Sequence, residues 1–434
     1  MFFYSEPIQE IIQQIILNQW NESQILSGSL AVNTSDNFGY SVAINSAGNR
    51  MVIGATSDEG SVSNQGLAYV FVSGASGWTQ QHILSGTGEV STFNYAESVA
   101  INSAGDRIVV GGLYDRKNGG PFYTGLAYVY VSGTDGWTQQ HILSGSLANY
   151  GSEYFGASVA INSSGDKVVI GAYGDQRTGG SYNEGLAYVF ASGSNGWTEQ
   201  HILSGSQATT NDDRFGSSVS INSAGDRIVV GAWQDESGNP SESGAAYIFV
   251  SGNNGWTENK ILTGSLAING GDNFGISVSM NSVGDRVVVG SWFDESPAAQ
   301  QSSGLAYVFV SGANGWSEQH TLSGTLATNS SDRFGYSVAI NSSGDYIAVG
   351  AYQDENVSSP SVGLTYIFFS GSSGWTQKSI VSGSLAVDSS GDEYFGHSVS
   401  INSVGDKIAV GAPRDEATGK PSQSGLVYVF SGTV

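Results

Sequence analysis

The chain has no cysteine among its 434 residues. That excludes a disulfide framework and all thiol chemistry. It has no run of 18 apolar residues, which excludes a membrane-spanning helix. Basic residues are scarce, with 15 Lys and Arg against 38 Asp and Glu, a formal net charge of −23. A chain of that sign repels nucleic acid and anionic membranes, and it suits either plain solubility or cation binding. No Lys or Arg precedes Arg50, and the early apolar residues are interrupted by Glu and Gln. A secretory leader with a basic start and a continuous apolar stretch is therefore not legible there.

What the chain has is repetition. Tryptophan recurs at Trp20, Trp78, Trp137, Trp197, Trp256, Trp316 and Trp375, a period of 58 to 60 residues. Around it a unit returns: W-T-x-x-x-I-L-S-G, a loop, F-G-x-S-V-x-I-N-S-x-G-D, V-V-G-A-x-x-D, a second loop, and G-x-A-Y-V-F. So long a period, built of short alternating segments, signals a radial or solenoidal array. The 61 glycines fit an all-β chain with many turns, and 39% apolar residues in regular alternation argue against disorder.

Each unit reads as four strands. In one unit these are Phe215–Ile221, Arg227–Ala232, Ala246–Val250 and a segment from Trp256 to Leu262. The joins Asn222–Asp226 and Ser251–Gly255 carry the Gly and Asn of hairpin turns. Seven such units predict an all-β fold, a seven-bladed β-propeller of four-stranded blades over residues 20–434. The chain opens with a lone fourth strand, Trp20–Leu26, and stops after a third strand, Leu426–Phe430. The N-terminal strand is therefore expected to complete the last blade, which removes an exposed sheet edge.

The Phe-Gly and Gly-Ala elements resemble the FG-GAP repeat of integrin α-subunit propellers and their bacterial and viral relatives. Phe-Gly stands at Phe38-Gly39, Phe155-Gly156, Phe215-Gly216, Phe274-Gly275, Phe334-Gly335 and Phe395-Gly396, while the second blade has Tyr95-Ala96. Gly-Ala-Pro survives whole only at Gly411-Ala412-Pro413. The resemblance implies the propeller and raises an expectation of adhesion, although the fold alone does not fix a function. Many members carry a D-x-D-x-D-G calcium loop between the first two strands. Here that loop is Ile-Asn-Ser-x-Gly-Asp, as at Ile161–Asp166, with a single carboxylate. A hard cation wants six to eight oxygens, so the family's calcium site is not expected in these turns.

Alternating strand direction puts the short, near-identical turns on one face and the long, variable loops on the other. Recognition is expected on the long-loop face. Carboxylates gather there: Asp58, Asp115, Asp175, Asp235, Asp294, Asp354 and Asp415 follow the Gly-Ala element. Asp36, Glu153, Asp213, Asp272, Asp332 and Glu393 stand two residues before the Phe. Sevenfold recurrence points to structural loop capping through side-chain bonds to backbone N–H. Calcium held between the two loops is the alternative, and no other cofactor is indicated.

Beside these acids stand the candidate ligand-binding aromatics Tyr114, Tyr173, Trp233, Trp292, Phe293 and Tyr352. Such rings either stack on a sugar or pack under their own loops. His82, His141, His201 and His320 share one outer-strand slot by repeat inheritance, and His397 stands alone. No catalytic triad spacing, H-x-x-x-H pair or phosphate loop appears. Repeated acid pairs make no unique glycosidase centre, so no enzyme is expected.

Ahead of the first strand, within residues 1–19, Ile8, Ile11, Ile12, Ile15 and Ile16 would share one helical face, with Ser5 as cap and Pro7 in the first turn. This amphipathic helix is expected at the short-turn face, plugging the base or docking into an assembly partner; without basic residues, lipid is a weak third choice. The expectation is a non-enzymatic recognition or adhesion module, extracellular or on a virion surface, that binds a glycan or protein. The competing class is a structural component of a virion, filament or cell envelope with no small ligand.

Overall fold

Strand pairing follows the repeat blade by blade. The computed structural model describes residues 20–433 apart from 60–64, 88–93, 117–122, 148–150, 178–182, 237–242, 296–301, 330, 355–361, 386–392 and 417–420. The helix expected around Ile8–Ile16 lies outside the described residues. In blade 1 the strands Phe38–Ile44, Arg50–Ala55, Leu67–Gly74 and Gly77–Leu84 pair antiparallel in chain order from the centre outward. Five further blades repeat this. The seventh joins Ser398–Ile401, Lys407–Ala412 and Leu426–Gly432 to Trp20–Leu26, which takes the outer place. Seven four-stranded sheets, the last closed by the N-terminal strand, make the expected propeller.

The second and third strands are buried along most of their length, Met51–Ala55 and Leu67–Phe71 for example. Both faces of these central strands are covered by neighbouring blades, so their sequences run apolar without alternation. Inner and outer strands, open on one side, alternate. The Phe of each Phe-Gly is fully buried and meets two rings of its own third strand edge-on. Phe38 lies 5.3 Å from Tyr69 and 6.1 Å from Phe71. Burying such a ring contributes roughly 1.5–3 kcal/mol. Of the repeat tryptophans, six are buried and Trp256 is half-buried.

The signature glycines have a steric cause. Gly39 has φ +91°, and a Cβ there would lie 2.5 Å from the Leu426 carbonyl oxygen of the neighbouring blade. A Cβ on Gly411 would lie 2.0 Å from the Gly39 carbonyl oxygen. The inner strand of one blade thus meets the second and third strands of the preceding blade backbone to backbone, where glycine leaves room; blade 2 carries Ala96 at the equivalent position, with φ +66°.

On the short-turn face each turn is locked by its own side chains. Asn45 Oδ1 accepts from the backbone N–H of Asn49 and Arg50 at 3.0 and 2.9 Å. In blade 3, Asn162 Nδ2 donates to Asp166 at 2.8 Å, and bonds from Ser164 and Asn162 hold that carboxyl below its ordinary range. The lone acid of this turn is a hydrogen-bond acceptor within its own loop.

Candidate functional site

The two sets of acids on the long-loop face lie close together within each of the six blades that carry both, as the strand pairing requires. Their partners define their role. In every blade a third-strand tyrosine donates its hydroxyl to the acid after Gly-Ala: Tyr69 to Asp58, Tyr188 to Asp175, Tyr247 to Asp235, Tyr307 to Asp294, Tyr366 to Asp354, Tyr428 to Asp415, and Tyr128 to Asp115 at 2.7 Å. The preceding acids take loop backbone instead. Asp36 accepts from Asn33 N–H, Asp213 from Thr210, Asp272 from Asn269 and Asp332 from Asn329, at 2.6 to 2.7 Å. Glu153 accepts from Gly151 N–H at 2.8 Å, and Glu393 is buried in the equivalent place.

Burial raises several of these carboxyls. Asp58 and Asp294 are pushed up to about 7 and Asp175 to about 6 by desolvation, against the opposing tyrosine bonds. Asp213 and Asp272 are raised to about 6 by the same cause. A calcium ion wants ionised, outward-facing oxygens in number. Each acid after Gly-Ala takes a tyrosine O–H on one oxygen, while Oδ1 of Asp58 and of Asp294 is buried without a hydrogen-bond partner; among the described residues no group of three or more His, Asp or Glu is arranged to hold a metal. The bonds to tyrosine hydroxyls and loop backbone give these acids an anchoring role within their own loops.

The six candidate aromatics are all half-buried and sit above this layer. They form two runs. In one, Tyr114 lies 5.9 Å from Tyr154, which stacks on Tyr173 at 4.9 Å; the Arg214 guanidinium then spans Tyr173 and Trp233 at 5.5 and 5.2 Å. In the other, Phe293 touches Trp292 at 4.9 Å, Trp292 touches Tyr336 at 5.2 Å, and Tyr336 meets Tyr352 at 4.5 Å. Arg333 lies over Phe293 at 3.8 Å and over Trp292 at 4.8 Å. The aromatics are therefore brought together with residues that sequence reasoning passed over.

Those residues occupy two positions. The residue just before each Phe has a left-handed backbone in all seven blades: Asn37, Asn94, Tyr154, Arg214, Asn273, Arg333 and Tyr394, with φ between 58° and 73°. Asn tolerates that conformation, whereas Arg and Tyr are unusual in it. The second position is the residue after Phe-Gly, which reads Tyr40, Glu97, Ala157, Ser217, Ile276, Tyr336 and His397 around the ring. The register slips there in most blades, between Phe38 and Ser41 for instance, where the inner strand carries extra residues. Such a bulge redirects a side chain out of the ladder.

All seven of these residues line one cavity of about 330 Å³ at the axis, together with Tyr173, Arg214 and Trp233. Beside it a second cavity of about 260 Å³ shares Tyr40, Tyr336 and His397 and adds Tyr352, Tyr394 and Arg414. Within the first, Tyr40 donates to Glu97 Oε1 at 2.9 Å, and Asn94 Nδ2 donates to Oε2 at 3.2 Å. Desolvation raises Glu97 to about 7 against those bonds. His397 bonds through Nε2 to the Tyr336 hydroxyl at 3.2 Å and through Nδ1 to the Tyr40 carbonyl at 3.1 Å, and burial lowers it to about 4. At the opposite end of the channel, a space of about 140 Å³ is lined by the same Ile, Asn and Ser positions from blade after blade. One mouth is symmetric and the other is not. Comparing equivalent positions across the seven repeats would have shown this, because the residues on either side stay constant.

The FG-GAP repeat model matches residues 20–71, 137–190, 197–249, 256–309, 316–368 and 375–430. The chain belongs to the FG-GAP repeat family. It is an integrin-α-like FG-GAP propeller, and the family's two glycine signatures coincide with the backbone contacts between its blades. The unmatched stretch, 72–136, holds the three inner strands of blade 2, where Tyr95-Ala96-Glu97 replaces the Phe-Gly start. No protein of curated function shows significant sequence similarity. Among solved structures, the β-propeller domain of Myceliophteria thermophila Cps50 (Swd1) is similar with a TM-score of 0.57 at 12% identity, over 94% of this chain and 100% of that one. At that identity the likeness concerns the fold alone.

Proposed function

We propose that this FG-GAP propeller is a non-enzymatic recognition module, working in an extracellular or virion-surface setting, that binds a surface glycan or protein through its long-loop face. The observation that carries the reading is where the repeat breaks. Positions that build blades return in all seven units, whereas the residues before and after Phe-Gly differ in character around the ring and converge on one aromatic-lined mouth. Scaffold needs explain uniformity; they do not explain six different residue types at seven equivalent axial positions. Propellers of this family are suited to interaction, and rigid scaffolds commonly present recognition residues in this way. The carboxylates of the face serve as anchors of its loops, so no general acid–base pair and no metal is needed for this role.

A glycan array with the purified protein, run in calcium and in chelator, tests the reading. Saturable binding that is lost in Trp233→Ala and Trp292→Ala, with melting temperatures checked for each, is the expected result. A blank array in both buffers removes the glycan arm and leaves a protein ligand to be sought on the same face.

A further inference from the structure

The axial cavity is lopsided. At the position after Phe-Gly, blades 1, 6 and 7 fill their side of the mouth with Tyr40, Tyr336 and His397, while blades 3 and 4 carry the small Ala157 and Ser217 there. The open lobe therefore lies toward the side where Arg214 is held between Tyr173 and Trp233. Arg214 is a cation in a chain of net charge −23, placed on a left-handed backbone that asparagine fills in three other blades. Its Nε is buried and has no hydrogen-bond partner. Among the described residues its one ion pair is with the exposed Asp212, 3.9 Å from Nη2, a distance that yields little at a solvated surface. Planar guanidinium donors without a firm partner, backed by two aromatic rings, are what a single carboxylate needs.

We propose that this cavity is a carboxylate-directed saccharide site: Arg214 receives the carboxylate of an acidic sugar unit whose ring lies against Trp233. The inference rests on the recognition reading above and names its ligand. A sugar is favoured over an acidic peptide by the shape and the mixture of the lining. The cavity is walled by all seven blades, so it admits a compact end group and gives an extended strand no groove to follow. Polar groups, the Ser217 hydroxyl and the Glu97 carboxyl, alternate with the Ile276, Ala157 and Trp233 surfaces. That alternation matches a ring with hydroxyl edges and C–H faces. Tyr40 and Asn94 hold Glu97 in place, so this part of the wall is organised before a ligand arrives.

The test is titration of the whole chain with glucuronate- and sialate-terminated trisaccharides, each beside its carboxyl-reduced neutral counterpart, and with a short polyglutamate peptide. Two variants leave the frame intact. Arg214→Gln keeps the length of the stem and removes the charge. Ser217→Tyr fills the lobe with a residue that the equivalent positions of blades 1 and 6 already carry, so it is expected to fold. The inference expects at least tenfold tighter binding of an acidic sugar than of its reduced form. It also expects loss of roughly tenfold to a hundredfold in Arg214→Gln and no detectable binding in Ser217→Tyr. Equal affinity for the reduced sugar overturns it. So does sugar binding that survives Ser217→Tyr but is lost in Trp292→Ala, an outcome that leaves the recognition reading standing at the rim. Tighter, Arg214-dependent binding of polyglutamate overturns the sugar assignment in favour of a protein ligand. Silence of every probe, glycan and peptide alike, overturns the inference and the recognition reading together.

Discussion

Ser398 Oγ donates to the carbonyl oxygen of Gly39 at 2.8 Å, although the two residues are 359 positions apart. The same bond links Ser41 to Ala96, Ser98 to Gly156, Ser158 to Gly216, Ser218 to Gly275, Ser277 to Gly335 and Ser337 to Gly396, all at 2.8 to 2.9 Å. The seam where the chain's ends meet is thus bonded like every other junction. Around the rim, Glu22 of the N-terminal strand accepts from Ser384 as Glu199 does from Ser146. The ring is closed by ordinary blade contacts.

Closure makes the N-terminal strand as important as any internal one. Trp20 is buried in the core of the last blade, with Phe430 and Leu426 in the same cluster. Trp20→Ala is expected to cost about 3–5 kcal/mol and to promote association through the exposed edge of the Leu426–Gly432 strand. Trp256→Ala, at a half-buried site, should cost visibly less. Urea denaturation midpoints and light scattering check both. Equal effects at the two sites would deny the seam its role.

The tyrosine–aspartate pairs should behave as structural anchors. Tyr188→Phe removes the hydroxyl that Asp175 accepts and leaves a buried carboxyl short of a donor. The expected cost is about 1–3 kcal/mol, with the Asp175 pKa rising above its value of about 6 because that bond was lowering it. Carboxyl titration by NMR and a thermal melt measure the two effects. Calcium or chelator should shift neither melt; a stabilisation by calcium that disappears in Asp175→Asn would assign the acids to metal after all.

The buried carboxyls also set the pH dependence of stability. Asp58, Asp294, Asp175, Asp213 and Asp272 have folded pKa values of about 6 to 7, above the unfolded value near 4. A raised pKa means that the folded state binds more protons between those limits. The stabilisation is complete below about pH 4 and is lost as pH rises through 6 to 7. His397 acts in the opposite sense, being lowered to about 4, so acidification below its ordinary range costs stability. Five groups outweigh one. The melting temperature should therefore rise by at least ~2 °C on going from pH 8 to pH 5, and calorimetry across that range reads the sign directly.

The propeller, its blade count and its closure were legible because each rests on periodic burial, which sequence displays as periodic residues. The acids were legible as a class, but their partner was not. The tyrosine that binds Asp58 is Tyr69, inside the apolar third-strand run, where it reads as core. The candidate aromatics Tyr173, Trp233 and Tyr352 do line the axial cavities. Tyr114, Trp292 and Phe293 join the same belt of rings without being among the residues that line either. Glu97 and Arg214 escaped notice, and His397 was marked only as standing alone, because a repeat draws attention to what recurs. Their meaning lies in departure from the pattern, at a bulge whose orientation the strand pairing reveals.

Glu97 offers the sharpest check that this departure serves function rather than folding. It is the one acid among the seven axial residues, and desolvation raises it to about 7. Around it Tyr40, Tyr173 and Tyr336 are all raised above the ordinary tyrosine range and stay neutral. His397 is neutral above about 4, and Arg214 contributes its guanidinium to the same lining. Ionising Glu97 near and above pH 7 therefore costs the folded state, whereas a glutamine keeps an acceptor for Tyr40 and carries no charge. Glu97→Gln should leave stability nearly unchanged at pH 4 and add about 1–2 kcal/mol at pH 8.5. The gain should grow as pH rises through 7, read as a difference in melting temperature between variant and parent at each pH. A stabilising substitution that weakens ligand binding would mark Glu97 as a residue kept at a cost to the fold. A substitution that destabilises at pH 8.5 would instead make the Glu97–Tyr40 pair part of the scaffold.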